Sequence, residues 1–170
     1  TNNFATMNPL IPGQTNYTYS DGNTTISQSS AAWVKSNSTI GMSSGKWYWE
    51  VKYVSGNYIV ASVDNTDTAT PYGPTSTSAV SYKRNGDLEV ATVPQTALAS
   101  YAHGDIVSVA LDMDNACVYF GKGGVWQNSG DPTSGASKTG AYSLPSYVAN
   151  TPYFATVSPY ESGATSMNFG

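Results

Sequence analysis

The sequence predicts an all-β domain, a two-sheet antiparallel β-sandwich of jelly-roll type. Three observations point there. Short segments rich in Val, Tyr, Trp and Phe recur along the chain, broken by Gly, Pro, Asn and Asp. Helix-favouring charged residues are scarce, with Asp, Glu, Lys and Arg together at 11%. The 13 Tyr, 4 Trp and 16 Gly supply flat amphipathic side chains and tight turns instead. A chain of 170 residues fits one domain, 1–170, able to bury a continuous core without metals or disulfides.

Weak strand patterning first occurs over residues 33–40. The clearest strand follows at 46–54, where Trp47, Trp49, Val51 and Tyr53 share one face and Tyr48, Glu50, Lys52 and Val54 the other. The first face should meet the core. Gly56-Asn57 ends this strand, and 58–63 reads as the returning arm of a hairpin. Residues 79–82 and 88–92 are weaker strands, and 94–99 offers a helical segment too short to hold alone. Residues 106–111 are apolar on both faces, as in a central strand covered on both sides. The turn Asp112-Met113-Asp114-Asn115 returns the chain antiparallel through 116–120, and strands at 153–157 and 165–169 close the domain. The expected core comprises Trp47, Trp49, Val107, Val109, Leu111, Cys117, Phe120, Phe154 and Phe169.

Charge and cysteine content exclude several functions. The net charge is -4, and the seven basic residues are scattered, so neither a nucleic-acid backbone nor an anionic membrane is an expected partner. No window reaches membrane-spanning length. The start Thr1-Asn2-Asn3 has no signal-peptide pattern and no initiator Met, so the chain reads as a processed piece or excised domain of a longer protein. A single cysteine forbids an intrachain disulfide, and Cys117 reads as a small buried hydrophobe. Sequons at Asn16, Asn23 and Asn37 are explained by the abundance of Asn, Ser and Thr.

Catalytic chemistry finds no support. The lone histidine, His103, sits in a Gly-Asp turn and has no nucleophile pattern around it. Neither GxSxG nor GxxxxGK[ST] occurs. A glycosidase needs two carboxyls across one cleft, and Glu50 and Glu89 are the only glutamates in strand context, with Glu161 in a loop. Asp112, Asp114 and Asn115 are explained by turn hydrogen bonds and lack the oxygen count of a calcium loop. No enzyme activity, metal or cofactor is expected.

The chain resembles the SPRY family, the domain also found in B30.2 modules. Gly45-Lys46-Trp47-Tyr48-Trp49-Glu50-Val51 resembles its early strand, and residues 103–115, from His103-Gly104-Asp105 to Asp112-Met113-Asp114-Asn115, its most recognisable segment. Residues 116–124, Tyr153-Phe154-Ala155-Thr156-Val157-Ser158 and Met167-Asn168-Phe169-Gly170 continue the match in the family's order. The resemblance implies a concanavalin A-like sandwich that binds through loops, usually protein or peptide, without catalysis. The opening 2–10 and residues 125–135, Val125-Trp126-Gln127 to Gly135, are similar to versions carried by structural or fibre proteins of tailed phages. The loops here are low in charge and heavy in Ser, Thr and Gly, unlike animal versions, so the resemblance does not by itself carry their peptide pocket over to this chain.

Function is therefore expected in two polar loops without strand periodicity, 64–78 and 121–150. Their candidate contact residues are Asn65, Tyr72, Trp126, Gln127, Asn128, Tyr142 and Tyr147. Neutral amides, hydroxyls and sparse aromatics suit a host-surface glycan or protein. The expected setting is the virion surface, with other virion proteins as the alternative partners in a purely structural role. Homo-oligomerisation would come through the parent protein.

Overall fold

A computed structural model describes residues 4–170. Asn2 and Asn3 of the opening segment, with Thr1, lie outside the described residues. In chain order the strands are β1 (Tyr17–Ser20), β2 (Thr25–Gln28), β3 (Ser36–Asn37), β4 (Lys46–Ser55), β5 (Val60–Asp64), β6 (Val80–Lys83) and β7 (Leu88–Val90). Then come β8 (Val93–Pro94), β9 (Ile106–Asp112), β10 (Cys117–Lys122), β11 (Val125–Trp126), β12 (Tyr142–Ser143), β13 (Phe154–Val157) and β14 (Ala164–Asn168). Two short 3-10 turns, Gly73–Thr75 and Gly135–Ser137, punctuate the long loops.

Among the described residues these strands form two antiparallel sheets. The eight-stranded sheet runs β1-β2-β14-β4-β9-β10-β11, with β12 also on β10, and the six-stranded sheet runs β3-β13-β5-β6-β7-β8. Period-two alternation sends one side chain in two into the space between them. From the larger sheet come Trp49, Val51, Tyr53, Val107, Val109, Leu111, Val118, Phe120 and Met167. Ala61, Val63, Val80, Tyr82, Leu88, Ala155 and Val157 meet them from the smaller one. Long-range pairing of this kind, not local propensity, holds the fold.

The expected hairpin between residues 46–54 and 58–63 does not form. β4 pairs with β14 and β9, and β5 pairs with β13 and β6, so the two lie in opposite sheets. Both edges of each strand are thus already paired. The chain crosses at Gly56, where φ is +97° and an added Cβ would lie 2.2 Å from the Cα of Gly163. Only glycine permits that approach. The 94–99 segment is not helical, since Val93–Pro94 is a short strand and the remainder irregular. β1 and β2, hydroxyl-rich and only four residues each, carry no apolar alternation strong enough to stand out in the sequence.

The expected core is corrected at three places. Trp47 is 41% exposed, because it lies near the end of β4, beyond the cover of the facing sheet. Phe154 is half-buried: its neighbour Ala155 takes the inward position, and the Phe154 ring packs against Gly41 on the outside. Phe169 is half-buried at the margin of the core, past the end of β14. Cys117 is buried, as expected, but alternation on β10 turns it outward with Tyr119, away from the inter-sheet core lined by Val118 and Phe120. Burial pushes its thiol up from the ordinary value.

The β9–β10 hairpin matches the expectation. Asp112 Oδ1 accepts the Asn115 backbone N–H at 3.0 Å, Oδ2 accepts Asn115 Nδ2 at 2.9 Å, and Lys46 Nζ lies 3.1 Å from Oδ2. Burial pushes the Asp112 carboxyl up, but the Asn115 hydrogen bonds and Lys46 outweigh it, and the net displacement is downward. A depressed native value means stability that is complete above the unfolded value of about 4 and is lost as pH falls through the native one. Asp112→Asn should therefore flatten the acid limb of the stability curve. Denaturant midpoints for both proteins, measured from neutral pH down to acid, should differ most at neutral pH, draw together below the unfolded value and meet only below the native one.

Candidate functional site

Two surfaces present clustered aromatics, one on the outer face of each sheet. The first is built on β5 and β6, whose outward positions include Val60, Ser62, Ser81 and Lys83. The loop between these strands folds back over them. Gly73 enters so closely that an added Cβ would lie 2.2 Å from Ser62 Oγ, which seats Pro74 and Tyr72 against the sheet. Tyr72 then stacks on Trp33, with centroids 4.8 Å apart and planes 19° from parallel. Tyr160 stacks on Trp33 as well, at 4.1 Å and 15°. A single face of one indole has no room for both rings, so Trp33 is sandwiched. Tyr58 meets it edge-on at 5.6 Å. All four are half-buried. A small hollow of about 100 Å3 opens among Trp33, Tyr58, Tyr72, Pro74 and Lys83.

The loop beneath this cluster is held by a buried ion pair. Lys35 Nζ lies 2.6 Å from Asp64 Oδ2, with both side chains fully buried. It also donates to the Thr66 carbonyl at 3.0 Å and Thr66 Oγ1 at 2.5 Å. Asp64 Oδ1 accepts from Ser76 Oγ at 3.1 Å and Ser78 Oγ at 2.7 Å. Thr66, Ser76 and Ser78 therefore serve the loop's own architecture. Burial pulls the Lys35 ammonium below its ordinary value, and Asp64 opposes that pull only in part.

The second surface lies on the outer face of the eight-stranded sheet. Cross-strand register places Tyr48 of β4, Ala110 of β9 and Tyr119 of β10 in one row. The small Ala110 leaves a floor between two tyrosines, and Trp126 of β11 and Pro132 of the loop after it complete the lining. The slot measures about 240 Å3. Tyr48 and Trp126 meet edge-on at 6.4 Å.

The other candidate residues are distributed by this geometry. Tyr72 belongs to the first surface and Trp126 to the second. Gln127 accepts the Ala99 N–H at 3.2 Å, and Asn128 donates to the Gly140 carbonyl at 3.3 Å, both bracing the loop. Tyr147 donates to the Met113 carbonyl at 3.0 Å and, like Tyr142, packs against the core. Asn65 is half-buried at the end of β5. The predicted residues thus do not converge on one patch. Trp33, Tyr58 and Tyr48 were missed as site residues, because their roles follow from cross-chain stacking and register.

The carboxylates do not face one another. Glu50 is on the eight-stranded sheet, accepting from Tyr48 Oη at 2.7 Å, while Glu89 is on the six-stranded sheet, 2.5 Å from Lys83 Nζ. Glu161 accepts from Asn57 Nδ2 at 2.6 Å in a third place. His103 is exposed, its Nε2 2.8 Å from the Gly56 carbonyl. Asn37 is fully buried, so that sequon is closed to a glycan in the folded chain. No group of three or more His, Cys, Asp or Glu suited to a metal occurs among the described residues. No described helix is long and apolar enough to cross a membrane.

No family model matches the sequence, and no curated protein matches it. Solved structures do. The SPRY domain of human HERC1 is similar with a TM-score of 0.75 at 17% identity, over 96% of this chain and 97% of that one. The stonustoxin structure is similar with a TM-score of 0.67 at 14% identity, over 96% of this chain but only 27% of that longer one. At these identities the likeness speaks for architecture. The chain has the fold of a SPRY domain, an antiparallel two-sheet β-sandwich.

Proposed function

We propose that this chain is a non-catalytic binding module that contacts a protein or glycan of a host cell surface through the Trp33, Tyr58, Tyr72 and Tyr160 cluster. The observation that carries the reading is the Tyr72–Trp33–Tyr160 stack. Three rings from three distant segments are fixed in one rigid block that is still half-open to solvent. Preassembled aromatics at the surface lose little entropy on binding and suit an interface centre. The separation of Glu50, Glu89 and Glu161 supports a binding role over glycoside hydrolysis. The resemblance of 125–135 to phage versions supports a place on a virion structural or fibre protein. A purely structural role in the particle remains the competing reading, since the same block would serve contact with other virion proteins.

Tyr72→Ala tests the assignment through two measurements on one sample. A binding anchor should lose affinity for intact cells, or for the best ligand on a glycan array, by about 2 kcal/mol or more while Tm stays nearly constant. A loop pin would lower Tm first and leave the affinity of the folded fraction intact, which would overturn the assignment.

A further inference from the structure

We propose that residues 65–77 form a strap that opens as a unit while the sandwich stays folded, and that its opening takes Tyr72 off Trp33. This inference rests on the Trp33 cluster as the binding site and adds a switch to it. Tyr72 is the one member of the cluster that the strap carries. Trp33, Tyr58 and Tyr160 come from other segments.

The strap covers the outer face of the six-stranded sheet. Cross-strand register sets Asn37 of β3, Thr156 of β13, Ser62 of β5 and Ser81 of β6 in one outward row. At one end Gly73 lies so close that an added Cβ would be 2.2 Å from Ser62 Oγ and 2.6 Å from Ser81 Oγ. At the other, the Thr66 carbonyl accepts from Asn37 Nδ2 at 2.9 Å. All four side chains are buried, yet Asn37 Oδ1, Thr156 Oγ1, Ser62 Oγ and Ser81 Oγ have no protein hydrogen-bond partner. Closure strips these oxygens of bulk water and gives none of them a protein partner, which costs free energy at each. An open strap lets water reach all four.

Apolar burial does little to hold the strap down. Between Asp64 and Ser78, Tyr72 is the only aromatic or large aliphatic side chain. Ala69 reaches only a small cluster with Ile11 and Val34, apart from the main core. The closing contacts are polar. Besides the Lys35–Asp64 pair and the Ser76 and Ser78 hydroxyls on Asp64, the Lys35 N–H donates to the Ala69 carbonyl at 2.9 Å and the Ala69 N–H to the Pro12 carbonyl at 3.1 Å. A segment rich in polar contacts and poor in apolar ones opens at lower free energy than the core beneath it. The clamp keeps the closed state dominant, so the stack stands ready for binding. Each opening bares one face of the Trp33 indole. A ligand that needs Tyr72 on Trp33 binds the closed form alone and shifts the equilibrium toward it.

Native-state amide exchange of the full chain without ligand, followed by NMR at low denaturant, tests this. The Lys35, Ala69 and Ser76 amides should exchange at least about tenfold faster, relative to their intrinsic rates, than those of Val107 and Val109 in β9, and with a shallower denaturant dependence. Thr156→Val keeps the side chain's shape and removes one unpartnered hydroxyl, so it should slow strap exchange about tenfold. Trp33→Ala lies outside the strap and removes a contact made only in the closed state, so it should quicken exchange of the same amides several-fold. Strap amides that exchange only with β9, at its rate and denaturant dependence, overturn the proposal. So does unchanged strap exchange in folded Thr156→Val or Trp33→Ala. No ligand enters these measurements, so their failure is distinct from failure of the binding reading, which the affinity of Tyr72→Ala decides.

Discussion

Val109→Asp is expected to abolish the cooperative unfolding transition. Val109 is fully buried in β9, and its register partners are Trp49 on one side and Phe120 on the other. All three point into the inter-sheet core. A carboxylate there finds no counter-charge in that layer, and the unpartnered Trp49 indole N–H supplies one hydrogen bond at most, so the buried charge still costs several kcal/mol after relaxation. Set against a total stability of about 5–15 kcal/mol, that loss leaves little or no folded state. Ile106→Asp is the control. Ile106 is on the same strand but outward and 36% exposed, so its variant should fold with a small loss of Tm. Circular dichroism melting of both variants checks the pair. A Val109→Asp protein melting like the wild type would mean that β9 does not occupy the centre of the sandwich.

The next largest effect is expected at the buried ion pair. Asp64→Ala should cost about 3–5 kcal/mol, because it strips the Lys35 ammonium of its paired carboxylate and leaves only the weaker influence of Asp67. It also removes the acceptor of Ser76 and Ser78. Replacing both partners, Lys35→Met with Asp64→Leu, should recover most of that loss. The depressed Lys35 value shows that Asp64 does not fully offset the desolvation of the ammonium, so an apolar pair of similar volume has little to lose. Denaturant unfolding of the single and double variants measures the difference. The double variant should retain stability but hold the 64–78 loop less tightly, and exchange of the Thr66 and Ser76 amide hydrogens should quicken. A double variant as unstable as Asp64→Ala would place the energetic weight in the hydroxyl network instead.

The fold class and the β9–β10 hairpin were legible because they rest on local signals. Alternation in 46–54, the apolar run at 106–111 and the Asp-rich turn each identify themselves within a few residues. The sheet topology was not legible. Nothing in the local pattern of β4 and β5 distinguishes a hairpin from a crossing between sheets. That choice rests on which distant strands, β14 and β13, claim the free edges. Trp47 shows the same limit: alternation gives its face correctly, but exposure depends on where the opposite sheet ends. One member of the aromatic cluster was in view, since Tyr72 stands out as a loop aromatic. Trp33 was hidden in a segment that reads as strand. The Tyr48–Ala110–Tyr119 row depends on register across three strands, so no single stretch of sequence discloses it. The polar residues of 64–78 admit two roles that the sequence does not separate. Hydroxyls that would suit a ligand are also what a buried Lys35–Asp64 pair requires, and Thr66, Ser76 and Ser78 serve that pair.

Cryo-electron microscopy of the virion on which we propose this chain is carried tests the binding account most directly. The account predicts that the domain lies on the outside, with the Tyr72–Trp33–Tyr160 edge facing solvent and free of the particle's own proteins. The same edge packed against another copy of the chain, or against another virion protein, would contradict it and assign the cluster to assembly.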